Sequence, residues 1–227
     1  KQRLASDAAT DLTGNSKKRR DTSFLGVSTL EAEHDLGTQA GHLLLGSLTH
    51  YIAEQTSVDD LDLQSFSGDV GLLLKTKWAD LTPKLAASHV TLSRETYQVT
   101  NSGSLLVERN LIPRIGVSLE GSWAHEDFNG IVENSAAPER KGDHVTGILT
   151  NTFLLSPSMQ YELGLTYDYK DAKADYFAYE GYTMDHSLTL VLPRNQFLIN
   201  FLSYERNVYN GFDPLVTVQR RRDDVLR

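Results

Sequence analysis

The segment at residues 160–170 alternates apolar and polar side chains without a break: Gln160-Tyr161-Glu162-Leu163-Gly164-Leu165-Thr166-Tyr167-Asp168-Tyr169-Lys170. In an α-helix, side chains three and four positions apart share a side, so this order would leave a helix without an apolar face. In a β-strand, every second side chain lies on the same face, and the Tyr and Leu residues then fall on one side. The segment therefore predicts a β-strand with one apolar and one polar face.

The same alternation recurs along most of the chain, and no segment shows the period and capping residues of a helix. It is clear at residues 64–78, 114–126, 145–155 and 182–192. Weaker versions cover residues 22–36, 39–53, 81–96, 102–110, 196–209 and 215–226. The sequence therefore predicts an all-β protein with about eleven strands, at roughly 20 residues for each strand and its connection.

The connections between these segments alternate in length. Short turns are predicted at residues 36–39, 79–83, 110–113, 156–158 and 192–195, and longer polar segments at 54–62, 97–103, 128–142, 171–181 and 207–214. Short turns on one side and long loops on the other are typical of outer-membrane barrels. We predict an antiparallel up-and-down transmembrane β-barrel over residues 22–227, of about 12 to 14 strands when complete and lacking its last strand here. Residues 1–21 are predicted to form a polar loop or a partial leading hairpin.

Composition narrows the class of protein. The chain has 227 residues, no cysteine and a formal net charge of −8. The absence of cysteine excludes disulfide scaffolds and thiol catalysis, and the acidic balance argues against nucleic acid as a partner. No run approaches the ~20 apolar residues of a membrane helix, but strands that are apolar at every second position escape that criterion.

A soluble antiparallel barrel or sandwich would show the same alternation, with its apolar face turned inward. Three details favour an apolar face turned to lipid: the length of the meander, charges along the whole polar face, and aromatic residues near strand ends. The predicted lipid-interface aromatics are Trp78, Trp123, Tyr161, Tyr167, Tyr169 and Tyr182.

Function is expected on the polar face, because the other face is committed to lipid. Mixed charges there indicate either a wet channel or a network of cross-strand ion pairs. By parity, the candidates for the lumen are Asp69, Lys75, Lys77, Arg94, Arg114, Glu120, Glu162, Asp168, Lys170, Asp185, Arg206, Arg220 and Arg222.

No catalytic motif is apparent, and we predict no enzyme activity, cofactor or metal. The seven histidines are scattered without metal-motif spacing. Acidic clusters at Asp59-Asp60 with Asp62, and at Glu126-Asp127, are interpreted as solvated charge rather than Ca²⁺ ligands. The basic run Lys17-Lys18-Arg19-Arg20 is interpreted in the same way, with anionic lipid headgroups as the alternative.

Short segments resemble the barrels of the surface lipoprotein assembly modifier family. They are Tyr204-Glu205-Arg206-Asn207-Val208-Tyr209-Asn210-Gly211-Phe212-Asp213-Pro214, Arg220-Arg221-Arg222-Asp223-Asp224, Glu33-His34-Asp35-Leu36-Gly37 and Glu180-Gly181-Tyr182. The resemblance implies a barrel of about fourteen strands in the outer membrane of a Gram-negative bacterium. It also implies a preceding periplasmic tetratricopeptide domain, whose 34-residue repeat is not found in this chain.

The expected function is that of an export or translocation conduit, or a scaffold, for a secreted protein or surface lipoprotein. The expected partners are outer-membrane lipid and lipopolysaccharide, with a periplasmic helical-repeat domain or a secreted substrate. One alternative is an exopolysaccharide-export porin. The other is a structural or adhesive outer-membrane protein that binds partners through its long loops, chiefly residues 128–142 and 171–181.

Overall fold

A computed structural model of the chain describes residues 23–55, 62–130, 137–212 and 221–227. Eleven strands form one sheet in which each strand pairs with the next. They are β1 Ser23–Asp35, β2 Leu43–Gln55, β3 Leu63–Lys75, β4 Asp80–Leu92, β5 Glu95–Ile112, β6 Ile115–Phe128, β7 Gly142–Ser156, β8 Met159–Ala172, β9 Tyr179–Leu192, β10 Gln196–Tyr209 and β11 Arg222–Leu226.

The prediction of an all-β antiparallel meander of eleven strands is confirmed. The only helices in the described residues are 3₁₀ turns at Ala137–Arg140 and Pro193–Asn195. Neither has the length and hydropathy that a helix needs to cross a membrane. The alternating side chains explain the choice of strand, because β pairing is the arrangement that separates the two kinds of residue onto two faces.

Antiparallel pairing assigns each side chain to one of two faces, since residues directly opposite each other point to the same side. The apolar face carries Leu48, Val70, Leu85, Leu119 and Leu165. The polar face carries Ser47, Asp69, Ser122 and Asp168. The margins depart from this division, because β1 and β10 place Leu25, Val27, Phe197, Ile199 and Phe201 on the polar face.

The apolar face forms a band of limited height on β6 to β9. It covers residues 115–123, 145–155, 159–169 and 182–192, interrupted by Asn151 and His186. Beyond it, on the same face, lie the charged or ionisable side chains of His125, Asp127, Asp143, Asp171 and Glu180. Each stretch has about nine to eleven residues, the length with which a tilted strand crosses the hydrocarbon core of a bilayer.

The sheet has almost no packed core. The buried hydrophobic residues among those described are Phe128 and four alanines, and no large side chain is fully buried. Leu48, Val70, Leu85 and Leu119 are instead 62%, 51%, 68% and 54% exposed. A soluble domain of this size would bury about 70% of its surface, largely behind side chains of this kind.

The sheet is open, because pairing between β1 and β11 is absent from the described residues. With an odd number of strands in a meander, β1 and β11 run in the same direction. Direct closure would therefore create a parallel pair. Antiparallel closure requires an odd number of further strands between β11 and β1. One or three further strands satisfy that condition and give totals of 12 or 14 strands.

The connections lie at two opposite edges of the sheet. The edge that holds the β1–β2 connection is called the turn side, and its connections fall close to the predicted turns. The opposite edge is called the loop side.

One predicted loop on the loop side is wrong, because residues 97–103 lie inside β5. The connection there is the two-residue turn Ser93–Arg94, with φ of 53° and 68°. Positive φ at both central residues is the type I′ geometry, which continues the twist of a hairpin. Pro83, predicted in a turn, lies in β4.

Replacing Arg94 with glycine should stabilise the protein. Arg94 has a left-handed backbone that penalises a side chain, and glycine removes that penalty at some cost in unfolded-state entropy, for a net gain of about 0.5 to 1 kcal/mol. The measurement is the urea midpoint in detergent micelles. Arg114→Gly is the matched control, because Arg114 is also a turn arginine but is absent from the positive-φ residues. Equal effects of the two substitutions would contradict the assignment.

Candidate functional site

The pairing register brings seven of the predicted lumen residues onto the polar face. They are Asp69, Lys75, Glu120, Glu162, Asp168, Lys170 and Asp185. Asp69 accepts a hydrogen bond of 2.6 Å from Ser47 Oγ, and Glu162 accepts one of 2.7 Å from Gln160 Nε2. The other polar-face candidates are distributed over several strands rather than gathered in one pocket.

Five of the other candidates lie elsewhere. Arg206 and Arg222 lie on the apolar face, because Arg206 is opposite Tyr182 and Asp224, and Arg222 is opposite Val208. The prediction that they share the polar face is therefore wrong. Lys77, Arg94 and Arg114 lie in connections, where alternation no longer assigns a face.

Several sequence hypotheses fall outside the described residues. They concern Arg220, residues 1–21 with the basic run Lys17–Arg20, and Asp59-Asp60. The Glu126-Asp127 cluster is described, and its two carboxylates lie on opposite faces because they are consecutive in β6.

The predicted interface aromatics occupy the apolar face with one exception. Trp123, Tyr161, Tyr167, Tyr169 and Tyr182 belong to it, and the rings of Tyr167 and Tyr182 are 5.3 Å apart. Trp123, Tyr169 and Tyr182 border the loop-side charges, as interfacial aromatics do. Trp78 instead lies in the connection between β3 and β4 and is 76% exposed.

The densest group of polar-face side chains lies at the loop side, and we call Glu126, His144, Asp168, Lys170 and Tyr179 the charge cluster. His144 Nδ1 lies 3.7 Å from Glu126 Oε1, and His144 Nε2 lies 3.3 Å from Asp168 Oδ1. The second contact is an ion pair without hydrogen-bond alignment. Lys170 Nζ donates to Glu126 Oε2, and Thr146 Oγ1 donates to Asp168 at 2.7 Å.

Strand register builds this cluster. His144, Lys170, Tyr179 and Tyr209 are opposite one another on β7 to β10. Glu126 and Asp168 lie diagonally to His144, at the separation where long side chains meet. Gly181 faces Asp168 and Asn207, and a Cβ atom there would overlap the Asn207 side chain. Glycine at this position therefore leaves room for the Asn207 side chain beside Asp168.

The electrostatics of the cluster are those of mutually stabilised charges. Glu126, His144 and Tyr179 lie beyond the apolar band, toward the loops. The contacts with Asp168 and Glu126 raise the pKa of His144 to about 9, although burial acts in the opposite direction. The contact with His144, together with Lys170, lowers the pKa of Glu126 to about 2 against the effect of burial. Burial, reinforced by Asp168, raises the pKa of Tyr179 to about 12.

Aromatic rings surround the charges. Lys170 Nζ is 5.3 Å from the ring centroid of Phe128, which packs edge-on against Tyr97. The Tyr179 ring is 6.3 Å from that of His144 and 5.4 Å from that of Tyr209. Such contacts shield the ion pairs from water and strengthen them.

The long loops above this cluster pack against one another. Lys173 and Ala174 donate backbone hydrogen bonds to Lys141 and Glu139, and Gly211 donates to Asp175. Arg140 lies 4.9 Å above the Phe177 ring. Ala137 and Ala178 are almost fully buried. The described parts of these loops, residues 137–141, 173–178 and 210–211, therefore form one loop cluster on the loop side.

Asp168 and Lys170 are the members of the charge cluster that the sequence predicts as lumen residues, whereas the other members and the packing of the loop cluster are not predicted. A signal for His144 exists in the sequence, because residues 144 and 146 are two positions apart and so share the polar face in a strand. The predicted strand, however, begins at residue 145 and leaves His144 out. The signals for the loop cluster were the apolar residues Ala137, Tyr176, Phe177 and Ala178 inside polar segments.

The contacts of the charge cluster are ion pairs and hydrogen bonds. His144 contacts carboxylates rather than a hydroxyl nucleophile. The described residues contain no group of three or more His, Asp or Glu side chains placed to hold a metal ion. Its geometry can join β6, β7 and β8 across the polar face at the base of the loops.

Comparison with known proteins adds no relative. No protein-family model matches the chain, and neither the curated proteins nor the solved structures contain a significant match.

The substitution His144→Gln should destabilise the protein in a pH-dependent way. The pKa of His144 rises from 6.5 to about 9 on folding. Protonated His144 therefore stabilises the fold fully below the pKa of the unfolded state, and this stabilisation is lost as pH rises through the pKa of the folded state. Glu126 stays ionised over this range. We expect the variant's deficit in unfolding free energy to be larger at about pH 6 than at about pH 10. Urea unfolding followed by circular dichroism in micelles measures both, and equal deficits would refute the ion-pair role.

Proposed function

We propose that the sheet is the wall of an outer-membrane β-barrel that serves as an export or translocation conduit, or scaffold, for a secreted protein or surface lipoprotein. The apolar face is the lipid-facing surface in this proposal, and the polar face lines the lumen. The charge cluster and the loop cluster belong to the external end.

The observation that carries the proposal is the apolar band. Large apolar side chains of the band, among them Leu119, Trp123 and Tyr182, are about half exposed on a sheet without a packed core. Charged residues border the band on the loop side, and its nine to eleven residues per strand match the thickness of a membrane. In a soluble sandwich, those same side chains would be the buried core. An exposed apolar surface of this extent requires a covering, and its similar height on β6 to β9 favours a bilayer over a protein partner.

The conduit follows from the polar face. About half of its positions on β3 to β7 carry small side chains, among them Ser67, Ser88, Ser102, Ser104 and Ser122. Side chains of this size do not fill a barrel of about 12 to 14 strands. Closure by an odd number of further antiparallel strands would thus leave a lumen lined by hydroxyl groups and charges.

The lipid-facing assignment can be tested with the chain's own fluorescence. The two tryptophans are Trp78, in a turn, and Trp123, in the apolar band, so Trp78→Phe leaves a single reporter. In vesicles of phospholipid brominated on the acyl chains, we expect strong quenching of Trp123. Trp123→Phe, with Trp78 as the reporter, is the matched control and should be quenched less. Refolding to the same sheet without detergent, with no quenching of Trp123, would establish the soluble alternative instead.

The conduit can be tested by electrical recording. The purified full chain, reconstituted in planar phospholipid bilayers, should give stepwise ion conductance. A protein that inserts, shows Trp123 quenching and conducts nothing would keep the membrane assignment and overturn the conduit. Loss of partner binding on deletion of residues 173–178 from such a silent protein would favour the adhesive alternative.

A further inference from the structure

The polar face of the sheet carries more carboxylates than the apolar face. From β3 to β11, the carboxylates on the polar face are Asp69, Asp80, Glu95, Glu108, Glu120, Glu126, Glu162, Asp168, Asp185, Glu205 and Asp223. The Lys and Arg side chains described on that face are Lys75, Lys84, Lys170, Arg221 and Arg227. The polar face is therefore acidic by a wide margin, and β1 adds Glu31, Glu33 and Asp35.

Part of this charge is neutralised where it lies. Glu126 pairs with Lys170, Asp223 with Arg221, and Glu205 with Arg227. Asp168 pairs with His144. These pairs lie on β6 to β11, at the loop side or near the margin of the sheet. No ion pair within the described residues involves Asp69, Asp80, Glu108, Glu120, Glu162 or Asp185.

Four of these carboxylates without an ion pair form two diagonal pairs across neighbouring strands. Asp80 lies directly opposite Glu108, and Lys75 lies directly opposite Asp80. Glu120 on β6 is opposite Leu106 on β5. Glu108 lies two residues after Leu106 on β5, so the carboxylates of Glu108 and Glu120 are diagonal neighbours. Glu162 is opposite Ser187, and Asp185 is its diagonal neighbour in the same way. Diagonal neighbours lie ~7–8 Å apart. We call these four side chains the acidic belt.

Like charges at this separation repel each other, which costs stability. A wall built only for strength would pair each carboxylate with a lysine or arginine, as the charge cluster does. The acidic belt instead leaves four partly or fully exposed carboxylates facing the side assigned to the lumen. Carboxylates that line a pore attract cations and repel anions.

We propose that the acidic belt makes the conduit selective for cationic solutes. This inference rests on the proposed lumen, and it adds the sign of the charge on the solutes that pass through it. Glu108, Glu120, Glu162 and Asp185 are the specificity-determining residues. Cations that pass through the lumen reduce the repulsion between the two carboxylates of each diagonal pair.

The test is the reversal potential of the reconstituted full chain in planar bilayers under a KCl gradient. Wild-type protein should show a K⁺-over-Cl⁻ permeability ratio well above one. The quadruple variant Glu108→Gln, Glu120→Gln, Glu162→Gln, Asp185→Asn should lower that ratio at least about twofold.

The matched control removes four carboxylates from the opposite face: Asp127→Asn, Asp143→Asn, Asp171→Asn, Glu180→Gln. It changes net charge equally and should leave the ratio unchanged. Equal shifts in the two variants would assign selectivity to overall charge and overturn the acidic belt. Conductance with a preference for anions would overturn this inference alone, and so would a permeability ratio that the quadruple variant leaves unchanged. Insertion without conductance would overturn both the conduit and this inference. Heat-modified mobility of each variant in gels checks that it folds.

Discussion

Antiparallel backbone pairing is the interaction on which every other feature of this protein depends. In most domains, side-chain packing in a core holds the elements together, but the described sheet buries almost no large side chain. The ladder of hydrogen bonds, continuous from β1 to β11, therefore defines the structure. Because opposite residues share a face, the register of one pair determines the faces of the next. A slip of one residue would send carboxylates to the apolar face, at a cost that lipid would make prohibitive.

The same register explains why the charges divide into two kinds. At the loop side, His144, Lys170 and Tyr179 lie opposite one another, and their neighbours complete a network of compensated charge. Toward the middle of the sheet, Glu120 faces Leu106 and Ile148, so that its carboxylate has no basic neighbour directly opposite. Compensated charge supports the wall near the loops. The carboxylates of the acidic belt lie in the part of the polar face where the described residues form no ion pair.

Much of the fold could be predicted from the sequence, because alternation is a local property that survives in isolated segments. The face of Asp168 follows from residues 160–170 alone. The face of Arg206 does not, because the apolar side chains of Phe197, Ile199 and Phe201 lie on the polar face, and only pairing with β9 assigns the strand. The Ser93–Arg94 turn lacks the Asn-Gly signal of its geometry, so residues 97–103, rich in polar residues, resembled a loop. The charge cluster was less accessible still, since it assembles residues from separate strands whose register no single segment contains.

The margins of the sheet limit where a lumen could run. On the polar face, β1 presents Leu25 and Val27, and β10 presents Phe197, Ile199 and Phe201, all more than half exposed. Apolar side chains at these positions would be poorly solvated in an aqueous pore, and they favour an element that covers both margins on the inner side. Antiparallel closure needs further strands in the same place, because β1 and β11 run in the same direction. The aqueous path of the proposed barrel would then lie against β3 to β9, where the small hydroxyl side chains and the acidic belt are found.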